Sequence, residues 1–345
     1  MRRPVGLLTA LILSACTSAT VPPAGPVMAT INAGARPGAA VTGAGAVWVP
    51  NTGDGTVSRI DPSTNRVTAT IAVGDAAAFF QRDCLPYGSV HSFMVTTFNV
   101  RRCDLPSSVA AGNGGVWAAK NDTKAVVRID PASNRIVSTV DIGVLPFELL
   151  ATPDAVWVTS YFDDAVVRID PTRGQVTATI RTPGQGPSGI ISADGQVWVV
   201  DSRGSAVSQI DPGRNQVVGS IAIHCPSTCL GGAVPLPVAA TEGSLWVRNE
   251  GDGTLVRIER ASAKLTATID IGAFWGRDGQ DAIAVADGGL WLSGISLQRI
   301  DPHTNRLTHA RDYGGIALAA GYGSLWVTDQ VGRILRIDPR RLQAG

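Results

Sequence analysis

Ala46-Val47-Trp48-Val49-Pro50-Asn51 opens the stretch that decides the fold. It runs on through Thr56-Val57-Ser58-Arg59-Ile60-Asp61-Pro62 to Val67-Thr68-Ala69-Thr70-Ile71-Ala72-Val73. The tryptophan setting returns at Trp117, Trp157, Trp198, Trp246, Trp291 and Trp326. Each is followed by a counterpart of Arg59-Ile60-Asp61-Pro62: Arg128-Ile129-Asp130-Pro131, Arg168-Ile169-Asp170-Pro171, Gln209-Ile210-Asp211-Pro212, Arg257-Ile258-Glu259-Arg260, Arg299-Ile300-Asp301-Pro302 and Arg336-Ile337-Asp338-Pro339. Seven copies of a short β unit, roughly forty residues each, point to a closed ring.

Within the first unit, Ala39–Thr42, Ala46–Pro50, Thr56–Ile60 and Val67–Val73 read as four strands. The last alternates, with Val67, Ala69, Ile71 and Val73 on one side and Thr68, Thr70 and Ala72 on the other. Asp61-Pro62-Ser63-Thr64-Asn65-Arg66 reads as a hairpin turn, because proline presets one φ and asparagine tolerates a positive one. After Asp338-Pro339 the chain stops with no fourth strand. Met28-Ala29-Thr30-Ile31-Asn32-Ala33-Gly34 matches Val67–Gly74 and supplies it. The expected fold is therefore all-β, a seven-bladed β-propeller with four antiparallel strands per blade, the last blade closed by the N-terminal strand and both free sheet edges thereby covered. A tryptophan present in every unit is expected to pack between blades, and the arginine of each Arg-Ile-Asp-Pro to cover the neighbouring blade or pair locally.

Composition agrees. Glu occurs four times and Lys three times among 345 residues, so the best surface helix formers are nearly absent. The formal net charge is +1, and no basic stripe interleaved with aromatics invites nucleic acid. No apolar stretch is long enough to span a bilayer. The leader carries Arg2 and Arg3 before a short apolar run, Val5 to Leu13, and ends in Leu13-Ser14-Ala15-Cys16. Residues 1–15 are thus expected to be a signal peptide and 16–27 a flexible tether, with the propeller over 28–345. Four further cysteines, Cys84, Cys103, Cys225 and Cys229, are even in number and suit disulfides in an exported chain. Pairing 84 with 103 and 225 with 229 keeps each bridge inside one insertion. Metal binding by His224, Cys225 and Cys229 lacks a fourth partner nearby, so neither metal nor cofactor is expected.

Leu13-Ser14-Ala15-Cys16 resembles the bacterial lipobox, which implies that Cys16 becomes a lipid-modified N-terminus and that the protein sits at the cell envelope, membrane-attached through that lipid. The repeats resemble the YVTN-type propellers, here with tryptophan where tyrosine is usual. More distantly they resemble the streptogramin B lyases, a resemblance that implies a histidine and metal-linked acids near the channel. Neither resemblance fixes a function.

Function is expected where the repeat is broken, at insertions 75–108, 222–237 and 272–281. All three join a fourth strand to the next first strand, on the face that also bears the turns between strands two and three. That face gathers Tyr87, Phe93, Asp164, Arg203, Glu250, Phe274, Trp275 and Arg277 as candidate binding residues. No nucleophile elbow, phosphate loop or His-Glu-x-x-His appears. The expectation is a monomeric, non-catalytic binding or scaffold protein whose partner is an envelope protein, peptide or glycan. The alternative is an envelope lyase or hydrolase, with His224 and Glu148 as its best candidates.

Overall fold

A computed structural model describes residues 25–74, 106–112, 114–120, 123–223, 235–249, 252–272, 282–311, 313–329 and 331–342. Cys16, the four other cysteines, Tyr87, Phe93, His224, Glu250, Phe274, Trp275 and Arg277 lie outside the described residues. Seven four-stranded antiparallel sheets follow one another around a ring. Blade 1 consists of Val41–Gly43, Ala46–Asn51, Thr56–Asp61 and Arg66–Ala72. Blade 2 consists of Pro106–Gly112, Gly115–Lys120, Ala125–Asp130 and Arg135–Asp141. Blade 3 consists of Leu149–Ala151, Val156–Ser160, Ala165–Asp170 and Gln175–Arg181, and blade 4 of Pro187–Ala193, Gln196–Asp201, Ala206–Asp211 and Gln216–Ala222. Blade 5 consists of Pro235–Thr241, Ser244–Asn249, Thr254–Glu259 and Lys264–Asp270, and blade 6 of Ile283–Ala286, Gly289–Leu292, Leu297–Asp301 and Arg306–Arg311. Blade 7 takes three strands from the C-terminal end, Ala317–Gly321, Ser324–Thr328 and Arg333–Ile337, and its outer strand from Val27–Asn32. The register runs from Val27 opposite Ile337 to Asn32 opposite Arg333, so the N-terminal strand closes the ring as the sequence match implied.

All seven tryptophans are among the largest fully buried side chains, and each packs against its neighbour blade. Trp48 lies in one cluster with Val109 and Val116 of blade 2, and Trp157 with Ile190 and Val199 of blade 4. Burying an indole removes an area of order 150–250 Å² from water, so these interfaces carry the core.

The hairpin between strands three and four follows the turn chemistry. Asp61 Oδ1 accepts from the Ser63 hydroxyl and the Ser63 N–H, each at 2.7 Å, which holds the carboxyl below the usual range, and Asn65 sits at φ 59°. Just beyond, the pairing shifts register between Arg59 and Ile60, and the same shift recurs at Arg128/Ile129, Arg168/Ile169, Gln209/Ile210, Arg257/Ile258 and Arg299/Ile300. One extra outer-strand residue is accommodated at each bulge. In four blades it is threonine, whose hydroxyl donates to the carbonyl of the arginine opposite, as Thr68 does to Arg59 at 3.3 Å.

Those arginines form a latch around the ring. Each guanidinium lies over its own blade's tryptophan, at 5.1 to 6.0 Å from the ring centroid. In blade 3 it also donates to the next blade's hairpin: Arg168 Nη1 bonds Pro212 O at 2.6 Å and Asn215 Oδ1 at 2.8 Å. Arg59 makes the same pair of bonds to Pro131 and Asn134, Arg257 to Pro302 and Asn305, and Arg336 of blade 7 to Pro62 and Asn65 of blade 1. Two departures are informative. Blade 4 has Gln209 instead of arginine, and the blade 5 hairpin it faces carries Arg260 at the proline position and Ala263 at the asparagine position, so the side-chain acceptor of the motif is gone. The polarity there is reversed, since Arg260 Nε reaches back to Asp194 of blade 4 at 2.6 Å. Arg299 of blade 6 faces the broken hairpin of blade 7 and bonds Thr308 of its own blade instead, at 3.1 Å.

Strand directions define two faces. The turns between strands two and three, and the connections from blade to blade, lie on the upper face, where one backbone bond recurs: Val73 N–H to Gly55 O, Ile142 to Lys124, Thr182 to Asp164, Ile223 to Ser205 and Ile271 to Gly253. The hairpins lie on the lower face.

Candidate binding site above blades 3 and 4

Each inner strand starts at the upper face, and its register against the tryptophan strand makes the seven starts comparable. Val41, Ala110, Leu150, Ile191, Ala239, Ala284 and Ala319 oppose the tryptophans. Two residues earlier stand Ala39, Ser108, Glu148, Gly189, Pro237, Ala282 and Ala317. Six of these are small and uncharged, and Glu148 is the exception.

The exception is held in place from both sides. The Glu148 N–H donates to Thr159 Oγ1 at 3.0 Å, and that hydroxyl donates to Ser188 O of blade 4 at 2.9 Å. Ser188 Oγ continues the chain, 2.6 Å from Ser202 Oγ and 3.1 Å from Val200 O. The Glu148 carboxyl lies where the Ile190 N–H of blade 4 meets it. Burial pushes it up to about 8, with the Ile190 N–H pulling the other way. At neutral pH it is therefore protonated, a neutral donor and acceptor rather than an anion.

A second carboxyl shares the blade 4 side. Asp201 ends the tryptophan strand fully buried and accepts from Ser208 Oγ at 2.5 Å. Burial raises it to about 6, the Ser208 and Thr182 hydroxyls oppose that, and the nearby Asp164 charge adds to it. A Cβ on Gly184 would lie 2.5 Å from Asp201, so the chain passes directly over this carboxyl only because residue 184 lacks one.

Above these lies an aromatic shelf, half-exposed. Phe147 precedes Glu148, and Tyr161 and Phe162 form the turn between strands two and three of blade 3. Phe147 and Tyr161 stack at 5.7 Å between centroids, and Phe162 meets Tyr161 edge-on at 5.0 Å. Arg203 crosses from blade 4, its guanidinium 5.4 Å from the Tyr161 centroid. It donates to Tyr161 O at 3.3 Å and pairs with Asp164, which also accepts from the Gly186 N–H at 2.7 Å. Gly186 sits at φ 62°, where a Cβ would press on Arg203 Cγ at 2.9 Å and Tyr161 Cε2 at 3.1 Å. Glycine is what lets guanidinium and ring stack here. With the pair about one-third exposed, it contributes at most about 1 kcal/mol, so its value is in orientation.

The structure thus brings together Asp164, Arg203 and Glu148 of the sequence candidates across one blade boundary. The sequence reading passed over Phe147, Tyr161, Phe162 and the environment of Asp201. The signal was available: aligned, the two-to-three turns read Thr52-Gly53-Asp54-Gly55 in blade 1 and Ser202-Arg203-Gly204-Ser205 in blade 4, against Tyr161-Phe162-Asp163-Asp164 in blade 3. Among the described residues no group of three His, Cys, Asp or Glu side chains is placed to hold a metal ion.

No protein-family model and no curated protein matches the chain. Solved structures share the fold. A streptogramin B lyase aligns over 90% of this chain and 95% of its own with a TM-score of 0.66 at 14% identity. A catalytically inactive histidine-to-alanine variant of virginiamycin B lyase from Staphylococcus aureus, with quinupristin, aligns over the same shares with a TM-score of 0.65 at 16% identity. Hydrazine synthase of Kuenenia stuttgartiensis covers 92% of this chain and 96% of its own, with a TM-score of 0.64 at 14% identity. At such identities the likeness is one of fold, and it spans proteins of different function.

Proposed function

We propose that the protein is a lipid-anchored, non-catalytic propeller of the cell envelope that binds a peptide, protein or glycan on its upper face, centred above blades 3 and 4. The observation that carries this reading is the half-exposed shelf of Phe147, Tyr161 and Phe162 with Arg203 stacked on it, beside a carboxyl that is neutral at pH 7. The seven tryptophans already fill the interfaces between blades, and these aromatics, packed on one another and on Arg203, add a ring surface at the upper face that a ligand can cover. Aromatic and arginine side chains commonly anchor interfaces, and a flat ring suits a sugar or peptide side chain. Insertions 75–108, 222–237 and 272–281 leave from the same face, and their Tyr87, Phe93, Phe274, Trp275 and Arg277, with Glu250 of the blade 5 turn, extend the surface. The lipid on Cys16 holds the assembly at the membrane, and disulfides 84–103 and 225–229 brace two insertions.

The test compares envelope material retained by wild type and by Tyr161→Ala/Arg203→Ala, both confirmed folded by melting. The specific partner is expected to be lost from the variant by tenfold or more. Equal recovery of the same partners would remove the shelf from the site. One observation favours a second reading: a carboxyl at about 8 is suited to general acid catalysis. If the purified protein consumed a streptogramin B antibiotic, and Glu148→Gln or His224→Ala stopped it, a lyase would replace the binding protein.

A further inference from the structure

We infer that the lower face of the propeller lies against an anionic lipid surface, so that the upper face points away from the membrane. This rests on the lipid-anchor reading for what brings the protein to a membrane, and on three independent features for which face meets it. First, the N-terminal segment joins the ring from below. Val27 opposes Ile337 at the lower end of the closing strand, the Asp338 N–H donates to Pro26 O at 2.9 Å, and Arg341 Nη1 donates to Gly25 O at 3.3 Å. Residues 16 to 24 reach about 30 Å at full extension, and a seven-residue strand is itself about 23 Å tall. A lipid on Cys16 therefore meets the lower face directly and the upper face only near full stretch.

Second, the charge is asymmetric. Blades 1 to 6 each place one exposed cation on a lower hairpin: Arg66, Arg135, Arg173, Arg214, Lys264 and Arg306. Arg173 and Arg214 have carboxylate partners within their own hairpins, at 3.4 and 3.6 Å. Among the described residues the lower half holds fifteen Arg and Lys against eleven Asp and Glu, and the upper half eight against nine. Third, the lower rim is apolar between its cations. Among the described residues, eight of the ten exposed large hydrophobic side chains lie there, including Val137 at 54% exposure, Val218 at 47% and Leu307 at 44%. Val137 and Val218 are the bulge residues of blades 2 and 4, at the position where four other blades carry threonine. Cations interleaved with apolar side chains are the composition of a membrane-interface surface, where Arg and Lys are drawn to anionic headgroups and the apolar groups enter the boundary.

Co-sedimentation of the full-length Cys16→Ser protein, which has no residue 16 thiol to acylate, decides the matter. Vesicles of phosphatidylcholine containing phosphatidylglycerol are expected to carry it down, vesicles of phosphatidylcholine alone are not, and about 0.5 M salt is expected to release it. Arg135→Glu/Lys264→Glu/Arg306→Glu is expected to weaken binding at least about tenfold, and the upper-face control Lys124→Glu/Arg181→Glu to leave it within about twofold. Should the triple substitution impair folding, Arg135→Gln/Arg306→Gln with a melting curve matching wild type replaces it. Binding to neither vesicle, or equal losses from both faces, would overturn the inference. Mass spectrometry of the native N-terminus tests the anchor separately. An unmodified N-terminus beyond residue 16 with lower-face binding intact would sink the anchor alone, and a lipidated Cys16 with no lower-face binding would sink the orientation alone.

Discussion

Deleting residues 27–32 is expected to abolish the folded monomer. That strand covers the edge of Arg333–Ile337, and its Ile31 is only 5% exposed in a cluster with Val47, Val49 and Ile60 of blade 1 and Trp326 of blade 7. One strand therefore completes blade 7 and helps seal its interface with blade 1. Its loss leaves an open sheet edge and an apolar face in water, a cost of the same order as the whole stability of a domain, about 5–15 kcal/mol. The milder substitution Ile31→Ala is expected to cost about 2–4 kcal/mol, from lost burial and a cavity that neighbouring blades cannot close. Urea unfolding measures it. A midpoint within error of wild type would mean that the ring does not depend on this closure.

The second large effect is a pH dependence centred on Glu148. Its carboxyl is raised from 4.5 to about 8 in the folded protein, so between those values the native state holds a proton that the unfolded chain has released. Stability from this group is then fully present below about 4.5 and falls as pH rises, at up to about 1.4 kcal/mol per pH unit, levelling off above 8. Glu148 is half-buried rather than sealed, so solvent screening reduces the total to about 2 kcal/mol. Glu148→Gln keeps the shape and a neutral donor and has no proton to lose. The variant is expected to match wild type at pH 5 and to exceed it by about 2 kcal/mol at pH 9, read from urea midpoints across the range. A constant difference between the two proteins from pH 5 to pH 9 would place the carboxyl in open water.

The fold was legible because its determinants are local and repeated. Trp48 and its six counterparts, the Asp61-Pro62 turn and the Met28–Gly34 match to Val67–Gly74 each follow from short-range chemistry, and seven copies average out the exceptions. The candidate site was only partly legible because it is built from differences between copies. Asp164 and Arg203 were recognised as non-repeating charges, but their pairing depends on Gly186 allowing Arg203 onto Tyr161, a contact across 42 residues. Glu148 is legible in the sequence as a candidate acid, but its place in a ring of small side chains emerges only once register sets it two residues before the tryptophan partner. Phe147, Tyr161 and Phe162 went unnoticed because their loops are of ordinary length, and length was the guide to function. The arginine latch shows the same limit. The loss of arginine at Gln209 is visible in sequence, but its compensation by Arg260 and Asp194 is visible only when two blades face each other.

Site-specific photocrosslinking in the native envelope tests the central claim most directly. A photoreactive amino acid in place of Phe162 on the upper face is compared with the same group in place of Val137 on the lower rim. From position 162 a discrete adduct with one peptide, protein or glycan is expected, and it should fall sharply when Arg203→Ala is added. From position 137 that adduct is expected to be absent. The same partner captured from the lower rim, with nothing captured above blades 3 and 4, would contradict the account.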